Sequence, residues 1–155
     1  MRFPTLEGSN LEGKEYIIPK TLDKEYNIIL MAFWRSQQKM VDTWAPFLSD
    51  LEEKYNNFKF YELPTISFGF MWMKPIIDGG MRAGIPNKNT RERTITIYLY
   101  KRSMLSDLEI ESQKKIKVYL INREGDILWK SEGYFTEAKG KDLKDTLLPK
   151  IGEHQ

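Results

Sequence analysis

The sequence predicts an α/β domain with a central mixed β-sheet flanked by helices on both faces. Three observations lead there. A short apolar run, Asn27 to Trp34 (NIILMAFW), passes directly into a helix-period stretch. Strand-like and helix-like segments then alternate along the chain, and a hairpin pattern (IKVYLIN, the turn REGD, then ILWK) falls near its end. At 155 residues, with 41% apolar and 30% charged residues, the chain has the length and make-up of one globular domain, residues 1–155.

Each element has its own warrant. Phe3 to Lys14 (FPTLEGSNLEGK) carries two glycines and a proline and reads as a leading loop or short hairpin, residues 1–14. Tyr16-Ile17-Ile18 is a strand stopped by Pro19, and Lys20 to Tyr26 is a polar connection. The run from Asn27 is a buried strand. In the helix after it, Met40, Val41, Trp44, Phe47, Leu48, Leu51 and Tyr55 share one stripe of a 3.6-residue period. Ser36 stands where an N-cap would accept the first free amides, and Pro46 should kink the helix. Lys59 to Leu63 is a second strand, ended by Pro64. Ser67 to Arg82 is helix-like and apolar on more than one side, kinked at Pro75 and ended by Gly79-Gly80. Ala83 to Arg93 reads as a polar, basic loop. Thr94 to Tyr100 is a strand, and Lys101 to Glu111 a short helix or turn. Ile116 to Asn122 and Ile127 to Lys130 form the hairpin. Thr136 to Ile151 closes the chain as a helix with Leu143, Leu147 and Leu148 inward. Residues 68–93 stand apart as an aromatic- and Met-rich, basic insertion.

Composition removes several function classes. With no cysteine there is no disulfide, thiolate metal site or thiol redox chemistry. The one histidine, His154, excludes a His-based triad and a multi-histidine metal site, so no metal or cofactor is expected. A net charge of +2 gives no general argument for nucleic acid. That charge is uneven: from Lys74 to Arg102 seven basic residues face two acidic ones, a net of +5, against −3 for the rest (17 basic, 20 acidic). No apolar run reaches the roughly 20 residues that span a bilayer, and no targeting segment is visible. The folded pattern starts at once after Met1-Arg2-Phe3-Pro4, which predicts that a longer chain preceded it.

The order of elements, with NIILMAFW leading into a proline-bearing helix and IKVYLINREGDILWKSEG as the late hairpin, resembles the thioredoxin superfamily. FPTLEGSNLEGK is similar to the leading segment of its redoxin and thiol–disulfide reductase branch. Two hallmarks of that branch are missing. Gln38 and Val41 stand where the resemblance places Cys-x-x-Cys, and Ile116 stands near the place of a cis-proline. A helix N-terminus lowers a thiol's pKa; without a thiol that field activates nothing here, and the protein is expected to be redox-inactive and not an enzyme. A closer resemblance is to the mitochondrial assembly factors for the membrane sector of ATP synthase. It is carried by MVDTWAPFL, FMWMKPIIDGGMRAGIP, ITIYLYKRSML and VYLINREGDILWKSEGY, which lie between Met40 and Tyr134. The second string is the most specific. This resemblance implies an assembly chaperone that binds a protein partner, a membrane subunit of ATP synthase, at the mitochondrial inner membrane.

Two candidate sites follow. Phe70, Trp72 and Met73 suit adaptable apolar recognition, and Lys74, Arg82, Arg91 and Arg93 would favour an acidic protein surface or anionic lipid headgroups. The competing reading is that this helix is simply interior, with Arg82 and Arg93 paired to Asp78 and Glu92. The second site is the helix N-terminus at Ser36, Gln37, Gln38 and Lys39, where free amides and the helix dipole favour an anion. A conjugating enzyme using Ser36 as nucleophile or thiol activator is the alternative it offers. A structural subunit of a larger complex is a third reading. Asp42, Asp50, Glu52 and Glu53 read as a solvated helix face, and Trp129 and Tyr134 as caps on the core beside the hairpin. Oligomeric state is not encoded in any pattern here.

Overall fold

In the computed structural model, which describes residues 1–67, 74–99 and 101–151 (backbone only at Ser67, Leu99, Lys101 and Arg102), seven strands and five helices alternate. The strands are β1 (Leu6–Asn10), β2 (Glu15–Ile18), β3 (Tyr26–Ala32), β4 (Phe58–Ser67), β5 (Ile95–Leu99), β6 (Lys117–Asn122) and β7 (Ile127–Glu132). The helices are α1 (Gln38–Lys54), α2 (Lys74–Gly84), α3 (Lys88–Arg93), α4 (Lys101–Asp107) and α5 (Glu137–Ile151), with a 3-10 turn over Arg35–Gln37. The sheet order is β2-β1-β5-β4-β3-β6-β7. β3, β4 and β5 run parallel, while the β1–β2 and β6–β7 hairpins close the two sides antiparallel. The mixed sheet with helices on both faces is therefore the architecture the pattern predicts.

Period-two alternation divides the core. Ile28, Leu30, Phe58, Phe60, Val118 and Leu120 face α1 and α5, where Val41, Trp44, Leu48, Leu51, Leu143 and Leu147 meet them. Ile29, Met31, Tyr61, Leu63, Ile95, Ile97 and Tyr119 face the other side, covered by Phe3, Leu6, Leu22, Met104 and Leu108. Trp44 is fully buried, and its Nε1 donates to the Gly133 carbonyl at 2.9 Å. Trp129 packs edge-on to it, whereas Tyr134 is exposed and caps nothing.

Four local expectations are corrected. The leading segment is a strand of the main sheet: β1 pairs with β5 as well as with β2, and Gly8 lets the two strands close up, since a Cβ there would lie 2.4 Å from the Thr96 carbonyl oxygen. Pro64 does not end β4. It falls between the Glu62–Thr94 bridge and the Thr65–Ile97 pair, where pairing to β5 is interrupted and the missing amide removes little. Gly79-Gly80 do not end α2, because neither takes the positive φ that a helix C-cap needs. Residues 88–93 form α3 and not loop: the Asn87 side chain caps it by accepting from the Thr90 amide at 3.1 Å.

Candidate functional site

The β3–α1 junction is built by its backbone amides and one glutamine. After β3 the chain enters the 3-10 turn, so Ser36 lies inside that turn and exposed, and it does not cap α1. Gln37 takes the organising role. Its buried side chain accepts from the Phe33 and Trp34 amides at 2.8 and 3.3 Å and donates to the Gln113 carbonyl at 2.7 Å. This ties the junction to the segment leading into β6. Trp34 beside it is 58% exposed. Of the three positions aligned with redox residues, Val41 and Ile116 are buried core. The cis peptide bond among the described residues is elsewhere, at Ile18–Pro19.

Gln38 has a different task. Its Nε2 donates to Asp42 at 2.9 Å and to Glu62 at 3.2 Å. Glu62, on β4, is 6% exposed, and burial pushes its carboxyl above the usual range against the opposing pull of the Gln38 hydrogen bond. The nearby Arg93 is committed elsewhere. A negative ligand at Ser36, Gln38 and Lys39 would thus face two carboxylates, which offsets the attraction of the helix end. The sequence did carry a signal for Glu62: in KFYELP it is the one acidic residue of an otherwise mainly apolar strand, and a strand covered on both faces should be apolar throughout.

The second region is α2 and α3. Phe70, Trp72 and Met73 lie outside the described residues. α2 buries none of its residues, and Ile76 is 69% exposed, so this helix is not interior. The basic residues around it are largely used internally, with partners other than those the local sequence offered. The Arg93 guanidinium grips Glu52 at 2.7 and 3.1 Å, donates to the Phe60 carbonyl at 3.0 Å and lies 3.9 Å over the Phe60 ring. Arg91 donates to Glu12 at 2.6 Å and to the carbonyls of Ile85 and Pro86 at 3.0 and 2.7 Å. Glu12 also meets Arg82 at 3.3 Å, and its carboxyl is held below the usual range chiefly by the Arg91 hydrogen bond. Arg91 and Arg93 side chains are 18% and 13% exposed, against 58% for Arg82. Lys74 pairs with Asp78 and donates to Ser9 at 2.9 Å. Among the described residues of this region, the accessible part is Ile76, Arg82 and the outer side of α2. Among the described residues no three His, Asp or Glu side chains converge as a metal site. An open groove lined by Phe3, Pro19, Asp107, Arg123 and Glu124 lies at the other end of the sheet from the junction.

This fold, with the helix after β3 and no cysteine at its start, defines a thioredoxin-like protein without the thiol pair. Solved structures agree on the fold. Copper-bound Sco1 of yeast matches with a TM-score of 0.63 at 12% identity, covering 99% of this chain and 97% of that one. The exposed lipoprotein thioredoxin of Streptococcus pneumoniae gives 0.60 at 12%, covering 97% and 99%. A thiol:disulfide interchange protein from Bacteroides sp. gives 0.55 at 17%, covering 99% and 90%. No curated protein matches the chain. A family model described as ATP10 protein matches residues 1–147, and the chain belongs to that family.

Proposed function

We infer that this chain is an assembly factor for ATP synthase, acting as a redox-inactive binding module for an apolar subunit of the membrane sector. The observation that carries this reading is membership of the ATP10 family over nearly the whole chain. The structure supports it in two ways. The position that would hold the first thiol is a glutamine engaged by Glu62, so a binding role is the natural use of the scaffold. The α2 helix is amphipathic yet buries nothing, and it directly follows Phe70, Trp72 and Met73 in sequence. An apolar client contacting that region, with Arg82 at its edge, is the partner we assign. Action at the mitochondrial inner membrane, in peripheral contact with anionic lipid, follows from the same reading. No helix of the described residues is long and apolar enough to cross a membrane.

The test is removal of the chain from its own cells, followed by native gel analysis of ATP synthase. The expected outcome is an assembled catalytic head with an incomplete membrane sector, restored by re-expression. A complete synthase without the chain would overturn the reading. Saturable binding of glutathione, lost on Ser36→Ala, would instead favour the thiol- or anion-conjugating alternative.

A further inference from the structure

We propose that α2 is a releasable strap, latched shut at its N-terminal end and hinged at its C-terminal end, and that release presents its inner face to the apolar client inferred above. The partner half of this statement rests on that reading; the mechanical half does not.

The latch is a compact polar cluster. The Lys74 ammonium pairs with Asp78 one turn along α2, donates to the Ser9 hydroxyl of β1 at 2.9 Å, and sits 5.3 Å from the centre of the Tyr98 ring on β5. The Tyr98 hydroxyl donates to Asp78 at 3.1 Å. Four side chains from three elements thus hold the start of α2 on the sheet. The hinge is equally explicit. Arg91, fixed by Glu12, donates to both the Ile85 and Pro86 carbonyls, pinning the two residues that follow α2. Asn87 then starts α3, which Arg93 anchors to Glu52.

Between latch and hinge, burial does little to hold α2. α1 buries Val41, Trp44, Leu48 and Leu51, and α5 buries Leu143, Leu147 and Ile151, whereas α2 buries none. Its Ile77 and Met81 are only half-buried. The floor under it bears hydroxyls: Ser9, Thr96 and Tyr98, with the Thr96 hydroxyl reaching the Met81 sulfur at 3.8 Å. Hydroxyls uncovered on release find water, and the main apolar surface uncovered beside them is the Tyr98 ring with Ile77 and Met81 of α2 itself. Gly79 and Gly80 have nothing within 4 Å of a would-be Cβ, so tight packing is not their purpose, and they weaken the helix. An element held by polar contacts at one end and by little burial opens locally at low free energy.

Two experiments decide this. Hydrogen exchange on the purified chain reads the latch. In Lys74→Met and in Tyr98→Phe, amides 76–84 should exchange at least about 10-fold faster than in wild type, with β3 and β6 unchanged. Unaltered exchange in both variants, or acceleration across the whole chain, overturns the strap. The second uses the absence of native cysteine. Cysteines at Ser9 and Lys74, joined by a short bismaleimide, hold α2 down. A photoreactive residue at Met81 then reports capture of detergent-solubilised ATP synthase membrane-sector subunits. The bridged protein should lose roughly 10-fold in adduct relative to the unbridged double variant, as a client-competent state held at low population requires. Equal capture by both overturns the strap and leaves client binding standing. No capture by either, with fast exchange in the latch variants, overturns the client and leaves the strap standing.

Discussion

Glu62 is a carboxyl where a parallel central strand should be apolar, beside a second carboxylate on Asp42, with one shared amide between them. Its proton affinity is raised on folding by burial. The folded chain therefore binds this proton more tightly than the unfolded chain does, so the group favours folding below the ordinary carboxyl range and that benefit is lost as pH rises through the raised value. Glu62→Gln keeps an acceptor for Gln38 and removes the titration. It should melt higher than wild type at pH 7.5, with the gap closing towards pH 4.5, the unperturbed value for Glu. A thermal scan at the two pH values checks the sign. The arginines separate just as clearly. Arg93→Ala removes the charged partner of Glu52 and leaves its carboxylate to the Phe60 amide in a mostly buried setting, and should cost about 3 kcal/mol. Arg82→Ala breaks an exposed pair and should cost less than about 1 kcal/mol. Urea midpoints of the two variants measure the difference. Gly8→Ala, which drives a Cβ against the Thr96 carbonyl, should destabilise by about 1–3 kcal/mol in the same assay.

Among the elements, what the sequence discloses depends on how local the determinant is. The α1 stripe, the β6–β7 hairpin and the inward leucines of α5 are set by residues a few positions apart, and they were legible. β1's place in the main sheet was not, because it depends on β5, almost a hundred residues away. The end of β4 was misread because Pro64 falls where pairing to β5 is interrupted while pairing to β3 continues through Ala32, so the strand carries on past it. The basic cluster was misjudged for the same reason: the carboxylates that take up Arg91 and Arg93 are Glu12 and Glu52, 79 and 41 residues distant. Gly79-Gly80 read as a stop by composition, and only φ shows that they continue the helix. That continuation has a measurable consequence. Gly79→Ala meets open space and gains helix propensity, so it should stabilise α2 by about 0.5–1 kcal/mol, read as slower exchange of amides 76–84 with the rest of the chain unchanged.

At the scale of the whole molecule, the scaffold and the chemistry have separated. The strands, the β3–α1 junction and the two-sided core are those of the thioredoxin-like fold, while the positions at which the sequence resemblance expects thiols and a cis-proline hold Gln38, Val41 and Ile116. Between β4 and β5 lies the α2–α3 segment, tied to the body by ion pairs at its base and presenting Ile76 outward. We propose that this segment holds an apolar subunit of the ATP synthase membrane sector. The most direct measurement places a photoreactive residue at Ile76, with fully buried Trp44 as the control position, irradiates cells expressing each variant and identifies adducts by mass spectrometry. A membrane-sector subunit should crosslink from Ile76 and none from Trp44. A folded Ile76 variant that yields no such adduct would contradict the proposal.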